Sequence, residues 1–162
     1  MFKIKLLILL LINLTIISCT QTPMPAISNN LSMAYISGEY DGLLLKNFLT
    51  NNLKSLNIYN QNSQYEVQSK INHKKKIYIT NIDNTSDREN ITTTLEVKIV
   101  DKNKKCTIFN NNFVASQFYI YVSGDQFISN QAAVKKIKKD NTEAVVKKFV
   151  NKLNQIEFQC NA

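Results

Sequence analysis

The chain has 162 residues and a formal net charge of +8, from 20 Lys and Arg against 12 Asp and Glu, with one histidine. Three scattered glycines exclude a Gly-rich phosphate loop, and three cysteines with a lone histidine at distant positions do not make a zinc site. Nearly every basic residue is lysine, Arg88 being the only arginine, and asparagine and isoleucine are abundant, which reads as AT-rich codon usage spread over solvated surface.

The N-terminus is charged, then apolar, then small. Met1 to Lys5 carries two lysines, Leu6 to Ile17 is almost wholly apolar, and Ser18 precedes Cys19. That is the order of a secretory signal segment, and a run of about a dozen apolar residues is too short for a spanning helix. Ile16-Ile17-Ser18-Cys19 resembles the lipobox of bacterial lipoproteins. The resemblance implies that the Cys19 thiol is lipidated and that the mature chain begins there. In such lipoproteins an aspartate after the cysteine signals inner-membrane retention. Thr20 stands at that position, so the expected address is the outer membrane, facing the periplasm. Nucleic acid is then excluded as a partner, while an anionic lipid or saccharide surface suits the charge.

Residues 1–18 are expected to be a signal peptide, 19–30 a lipidated tether containing Pro23 and Pro25, and 31–162 a single domain. Roughly 144 residues suffice for a hydrophobic core without metal or disulfide staples. With Cys19 lipidated, Cys106 and Cys160 remain. An oxidising compartment allows a disulfide between them, the alternative being two unpaired thiols.

Leu31 to Ser37 reads as a first strand ending at Gly38. Asp41 is placed to cap a helix from about Gly42 to Leu56, with Leu45, Phe48, Leu49, Leu53 and Leu56 on one stripe. Tyr65, Val67, Ser69 and Ile71 alternate with polar residues as a strand. The run His73 to Lys76 interrupts it, and Ile77 to Ile79 resume it. Asn81 to Asn90 is rich in turn formers and reads as a loop. Thr93, Leu95, Val97 and Ile99 alternate with Thr92, Thr94, Glu96 and Lys98 as the clearest half-buried strand. Asp101 to Lys105 predicts a hairpin turn without an Asn-Gly pair, and Cys106 to Val122 the returning strand, with a bulge or bend at Asn110 to Asn112. From about Gln126 to Ile156, Val134, Ile137, Asn141, Val145, Phe149, Leu153 and Ile156 share one side of a helix whose other side bears paired lysines. The apolar stripe is expected to pack on the sheet rather than lie on a membrane. The sum is an α+β two-layer sandwich: a mostly antiparallel or mixed sheet with two helices on one face.

This order behind a lipobox resembles the LPS-assembly lipoprotein family (LptE, also called RlpB), its alphaproteobacterial branch in particular. The residues that carry the likeness are Tyr40-Asp41-Gly42 at the helix start, Tyr65 and Val67 in the next strand, and Arg88 before the strand ending in Asp101. Phe118-Tyr119-Ile120-Tyr121 and the small residues Gln131-Ala132-Ala133 and Asn141-Thr142-Glu143-Ala144 continue it. The resemblance implies a protein seated in the lumen of an LptD-like outer-membrane barrel, the LPS translocon, which it helps assemble and plug while contacting lipopolysaccharide. It implies no cofactor beyond the covalent lipid on Cys19.

The candidate contacts to LPS phosphates are Lys74, Lys75, Lys76, Arg88, Lys104 and Lys105, since cations form charge-assisted hydrogen bonds to phosphate. Arg88 stands out because a planar fork is distinctive in a lysine-rich chain. His73 has no evident partner acid in the sequence, so no catalytic triad is indicated and an enzyme is not expected. Two rival classes stay open: another lipoprotein adaptor, pilotin-like or accessory to barrel assembly, and a small periplasmic ligand-binding domain.

Overall fold

A computed structural model describes residues 29–36, 40–79, 87–121 and 127–160. Cys19, the expected signal segment, most of the expected tether and Gly124 lie outside the described residues. The elements are β1 (Leu31–Met33), α1 (Tyr40–Ser55), β2 (Tyr65–Ile79), β3 (Asp87–Asp101), β4 (Cys106–Tyr121) and α2 (Phe127–Leu153). The sheet order is β1-β2-β3-β4. Three residues of β1 run parallel to β2, and β2, β3 and β4 form a long antiparallel meander. Both helices contribute to one core against one face of this sheet, as expected of an α+β two-layer sandwich.

Strict alternation makes β3 amphipathic. Ile91, Thr93, Leu95, Val97 and Ile99 are buried beneath the helices, while Glu96 and Lys98 face away and are exposed. Leu45, Leu49 and Leu53 of α1 meet this face, as do Val145, Val146, Phe149 and Leu153 of α2, all fully buried or nearly so. Phe149 centres an aromatic group with Phe113 and Phe109, at ring distances of 5.9 and 6.4 Å. The α2 stripe therefore packs inward.

Helix α1 ends in a Schellman arrangement: Asn57 takes φ 57°, its amide donates to the Lys54 carbonyl, and the Ile58 amide donates to the Leu53 carbonyl. At the other end Asp41 lies within the first turn, and its carboxylate pairs with Lys138 at 3.2 Å rather than serving the expected cap. The β3–β4 turn has a different device for its missing Asn-Gly. One Asp101 carboxylate oxygen accepts from the amides of Asn103 and Lys104, and Lys105 takes the left-handed conformation at φ 54°.

Several sequence expectations need correction. His73 to Lys76 does not interrupt a strand: β2 is continuous for 15 residues, because every residue from Tyr65 to Ile79 is in register with β3. β3 starts at Asp87, inside the segment read as a loop, and β1 stops at Met33. No bend occurs at Asn110 to Asn112. The register shifts instead between Val100–Thr107 and Ile99–Phe109, leaving Ile108 in a bulge and both Ile108 and Phe109 against the core.

Cys106 and Cys160 are joined as a disulfide, with Cα atoms 5.9 Å apart. The bond draws the segment after α2 back over the start of β4. Phe158 then lies on Tyr65, ring centres 5.0 Å apart.

Candidate functional site

The face of the sheet away from the helices has no covering element among the described residues. The pairing register assembles it in rows across the three long strands: Lys74–Thr92–Ser116, Lys76–Asn90–Phe118 and Tyr78–Arg88–Ile120. Phe118 and Ile120 are each 61% exposed and Val114 47%, large values for apolar residues grouped in one place. Tyr78 lies against Phe118, ring centres 5.8 Å apart, and the Lys76 ammonium sits 4.9 Å from the centre of the Tyr78 ring. Cations on β2 and β3 thus stand beside apolar side chains on β4. Nearer the β3–β4 turn the same face is polar. There Gln68, Lys70, Glu96, Lys98 and Asn110 line a shallow depression of about 270 Å³.

The opposite face changes in the reverse sense. Near the turn it is the hydrophobic core. Beyond Ile71 it carries His73, Lys75, Glu89 and Tyr119. The buried Glu89 side chain, 3% exposed, pairs with Lys75 at 2.6 Å and accepts the hydroxyl hydrogen bond of Tyr119. His73 contacts the Thr93 hydroxyl at 2.8 Å through Nδ1. Its Nε2 lies 3.7 Å from the Asp41 carboxylate, which Lys138 also holds. Burial lowers the His73 pKa below 6.5, the Asp41 charge opposes that, and the Lys138 charge adds to it. His73 does have an acid nearby, Asp41 on α1, invisible in sequence because the two are distant along the chain.

The six candidate cations separate into three groups. Lys74, Lys76 and Arg88 share the open face with the exposed aromatics. Lys75 points to the helix side and is held by Glu89. Lys104 and Lys105 sit in the β3–β4 turn. From Ile91, paired with Lys75, to Asp101 at that turn is ten residues, roughly 33 Å at about 3.3 Å each. They cannot touch the same phosphate group as Lys74 and Lys76. Sequence reasoning missed Phe118, Ile120 and Tyr78 as part of a site. Alternation around Tyr119 is the signal that could have found them.

Asp101, Cys106 and Cys160 bring one carboxylate oxygen and two sulfurs within 4.8 Å. The sulfurs are bonded to each other and the carboxylate serves the turn, so this group acts as a structural clasp. Among the described residues no helix is long and apolar enough to cross a membrane.

No protein-family model matches the chain, and no curated protein matches it. Solved structures do. A minor lipoprotein from Acinetobacter baumannii aligns over 78% of this chain and 93% of its own, with TM-score 0.60 and 10% identity. The rare lipoprotein B from Shewanella oneidensis aligns over 78% and 89%, with TM-score 0.52 and 9% identity. A Caulobacter crescentus CB15 chain aligns over 77% and 88%, with TM-score 0.55 and 15% identity. At these identities the likeness is one of fold.

Proposed function

We propose that this protein is an outer-membrane lipoprotein, anchored through Cys19, that serves lipopolysaccharide transport by seating in an LptD-like barrel and contacting LPS. The observation that carries the reading is the open sheet face, where Lys74, Lys76 and Arg88 adjoin Tyr78, Phe118 and Ile120. Phosphate on an amphiphile suits the cations, and its apolar part suits the exposed rings. The Ser18-Cys19 lipobox and a fold shared with a protein named rare lipoprotein B add support.

The test compares two charge-reversed forms of the full-length protein in detergent. Lys74→Glu with Lys76→Glu and Arg88→Glu is expected to weaken LPS binding at least tenfold, about 1.4 kcal/mol. Lys104→Glu with Lys105→Glu is expected to bind nearly as the native protein does. Equal losses in both would reject the open face as the contact. Capture from solubilised outer membrane is expected to recover a translocon barrel; recovery of a secretion or barrel-assembly complex instead would favour the adaptor class.

A further inference from the structure

The meander has two long outer edges, and they differ. Within β2, β1 pairs with Tyr65, Glu66 and Val67 alone, so among the described residues the rest of β2 has no outer neighbour, and it carries Lys70, Lys74, Lys75 and Lys76. Lysines are a common guard against unwanted strand pairing. β4 is the last strand, yet Cys106–Tyr121 contains no charged residue, no proline and no glycine.

The outward groups of β4 can be assigned. The Lys148 ammonium donates to the Val114 carbonyl at 2.6 Å, and the Asn112 amide donates to the Asn111 side chain at 2.8 Å. Both groups therefore point away from β3. The alternation of an antiparallel ladder directs the amides and carbonyls of Ser116, Phe118 and Ile120 outward as well. Near the turn the edge is kinked by the Ile108 bulge and capped by Asn111 and Lys148. From Ser116 to Ile120 the ladder with β3 runs without a bulge, and Ser116, Phe118 and Ile120 are exposed.

We propose that the β4 edge from Ser116 to Ile120 receives an extended segment of a partner polypeptide that alternates apolar with acidic residues. Main-chain hydrogen bonds supply affinity in strand addition, and alternate side chains supply selectivity. On the open face the added strand lies beside Phe118 and Ile120, where apolar residues pair well across strands. On the helix side, exposed Lys148 reaches over the edge at Val114, just before this stretch, and a strand extending that far brings acidic residues to its charge. A second copy brings the same +8 charge and is disfavoured. The proposal concerns the strand edge and does not rest on the glycolipid reading.

The experiment uses the full-length protein in detergent with a synthetic ten-residue peptide of alternating Val and Glu, and a Val and Lys counterpart as control. Fluorescence anisotropy is expected to show saturable binding of the Val/Glu peptide alone, with slowed amide hydrogen exchange at Ser116, Phe118 and Ile120. Ser116→Pro removes an outward amide that makes no ladder bond, so the fold is expected to survive while binding weakens at least roughly tenfold. Ser116→Ala keeps the amide and is expected to bind as the native protein does. The proposal is overturned by no saturable binding, by equal binding of the Lys peptide, or by unchanged exchange on binding. Native affinity in Ser116→Pro overturns it too, as does protection of these amides in a dimer without peptide.

Discussion

His73 shows how much one side chain owes to its tertiary neighbours. It stands in a run of lysines in sequence, yet its side chain is 6% exposed and sits between Thr93, Asp41 and Lys138 from three different elements. Its pKa is lowered in the fold, so the unfolded chain takes up a proton first as pH falls. The His73 contribution to stability is therefore full above about pH 6.5, and it declines as pH falls from there through the lowered folded pKa. In urea denaturation, the native protein is expected to lose more stability between pH 7.5 and pH 5 than His73→Gln does. Identical losses in both would remove this account. Lys75 is the companion case. It is half exposed but ends on buried Glu89, so Lys75→Ala is expected to cost about 1–2 kcal/mol of stability. LPS binding by that variant is expected to match the native protein once folding is verified.

At the scale of elements, what was legible in the sequence follows the core. β3 and both helices were readable because Leu95, Val97 and Ile99, or Leu45, Leu49 and Leu53, repeat at the period their element buries. The continuity of β2 was not readable, because His73 to Lys76 have partners supplied by β3 and the helices, not by local pattern. The bulge at Ile108 was equally hidden, since a register shift is a property of two strands. Asn141, polar within an apolar stripe, has its reason in a 2.9 Å hydrogen bond from its side chain to the Ile91 carbonyl. The candidate cations were legible as a list but not as a site, since the register alone places Arg88 near Lys76 and far from Lys104. The disulfide yields an element-scale prediction. Its cysteines are 54 residues apart, so Cys106→Ser with Cys160→Ser is expected to lose about 4 kcal/mol in chemical denaturation. The Tyr65–Phe158 contact is expected to loosen with it, seen as faster exchange near Phe158.

For the whole molecule, the proposed function joins anchoring to surface: a lipid on Cys19 would hold the basic domain, and with it the open face, near anionic amphiphiles. Cys19→Ala is expected to abolish incorporation of labelled palmitate and to deplete the protein from the outer-membrane fraction. Continued labelling would place the lipid elsewhere. The fold itself says little about chemistry, because two-layer sandwiches host unrelated roles. The placement of charge beside exposed rings says more.

The exchange of character between the two faces also bears on how the chain finds its register. A one-residue slip moves every side chain to the other face. Near the β3–β4 turn such a slip would expose Leu95, Val97 and Phe113, so that half forbids it. In the far half a slip would carry Phe118 and Ile120 toward the helices, and the penalty there is much weaker. The meander is thus locally frustrated at one end and specified at the other. Zipping is expected to begin at the Asp101 turn, with the far half aligned last by strands already fixed.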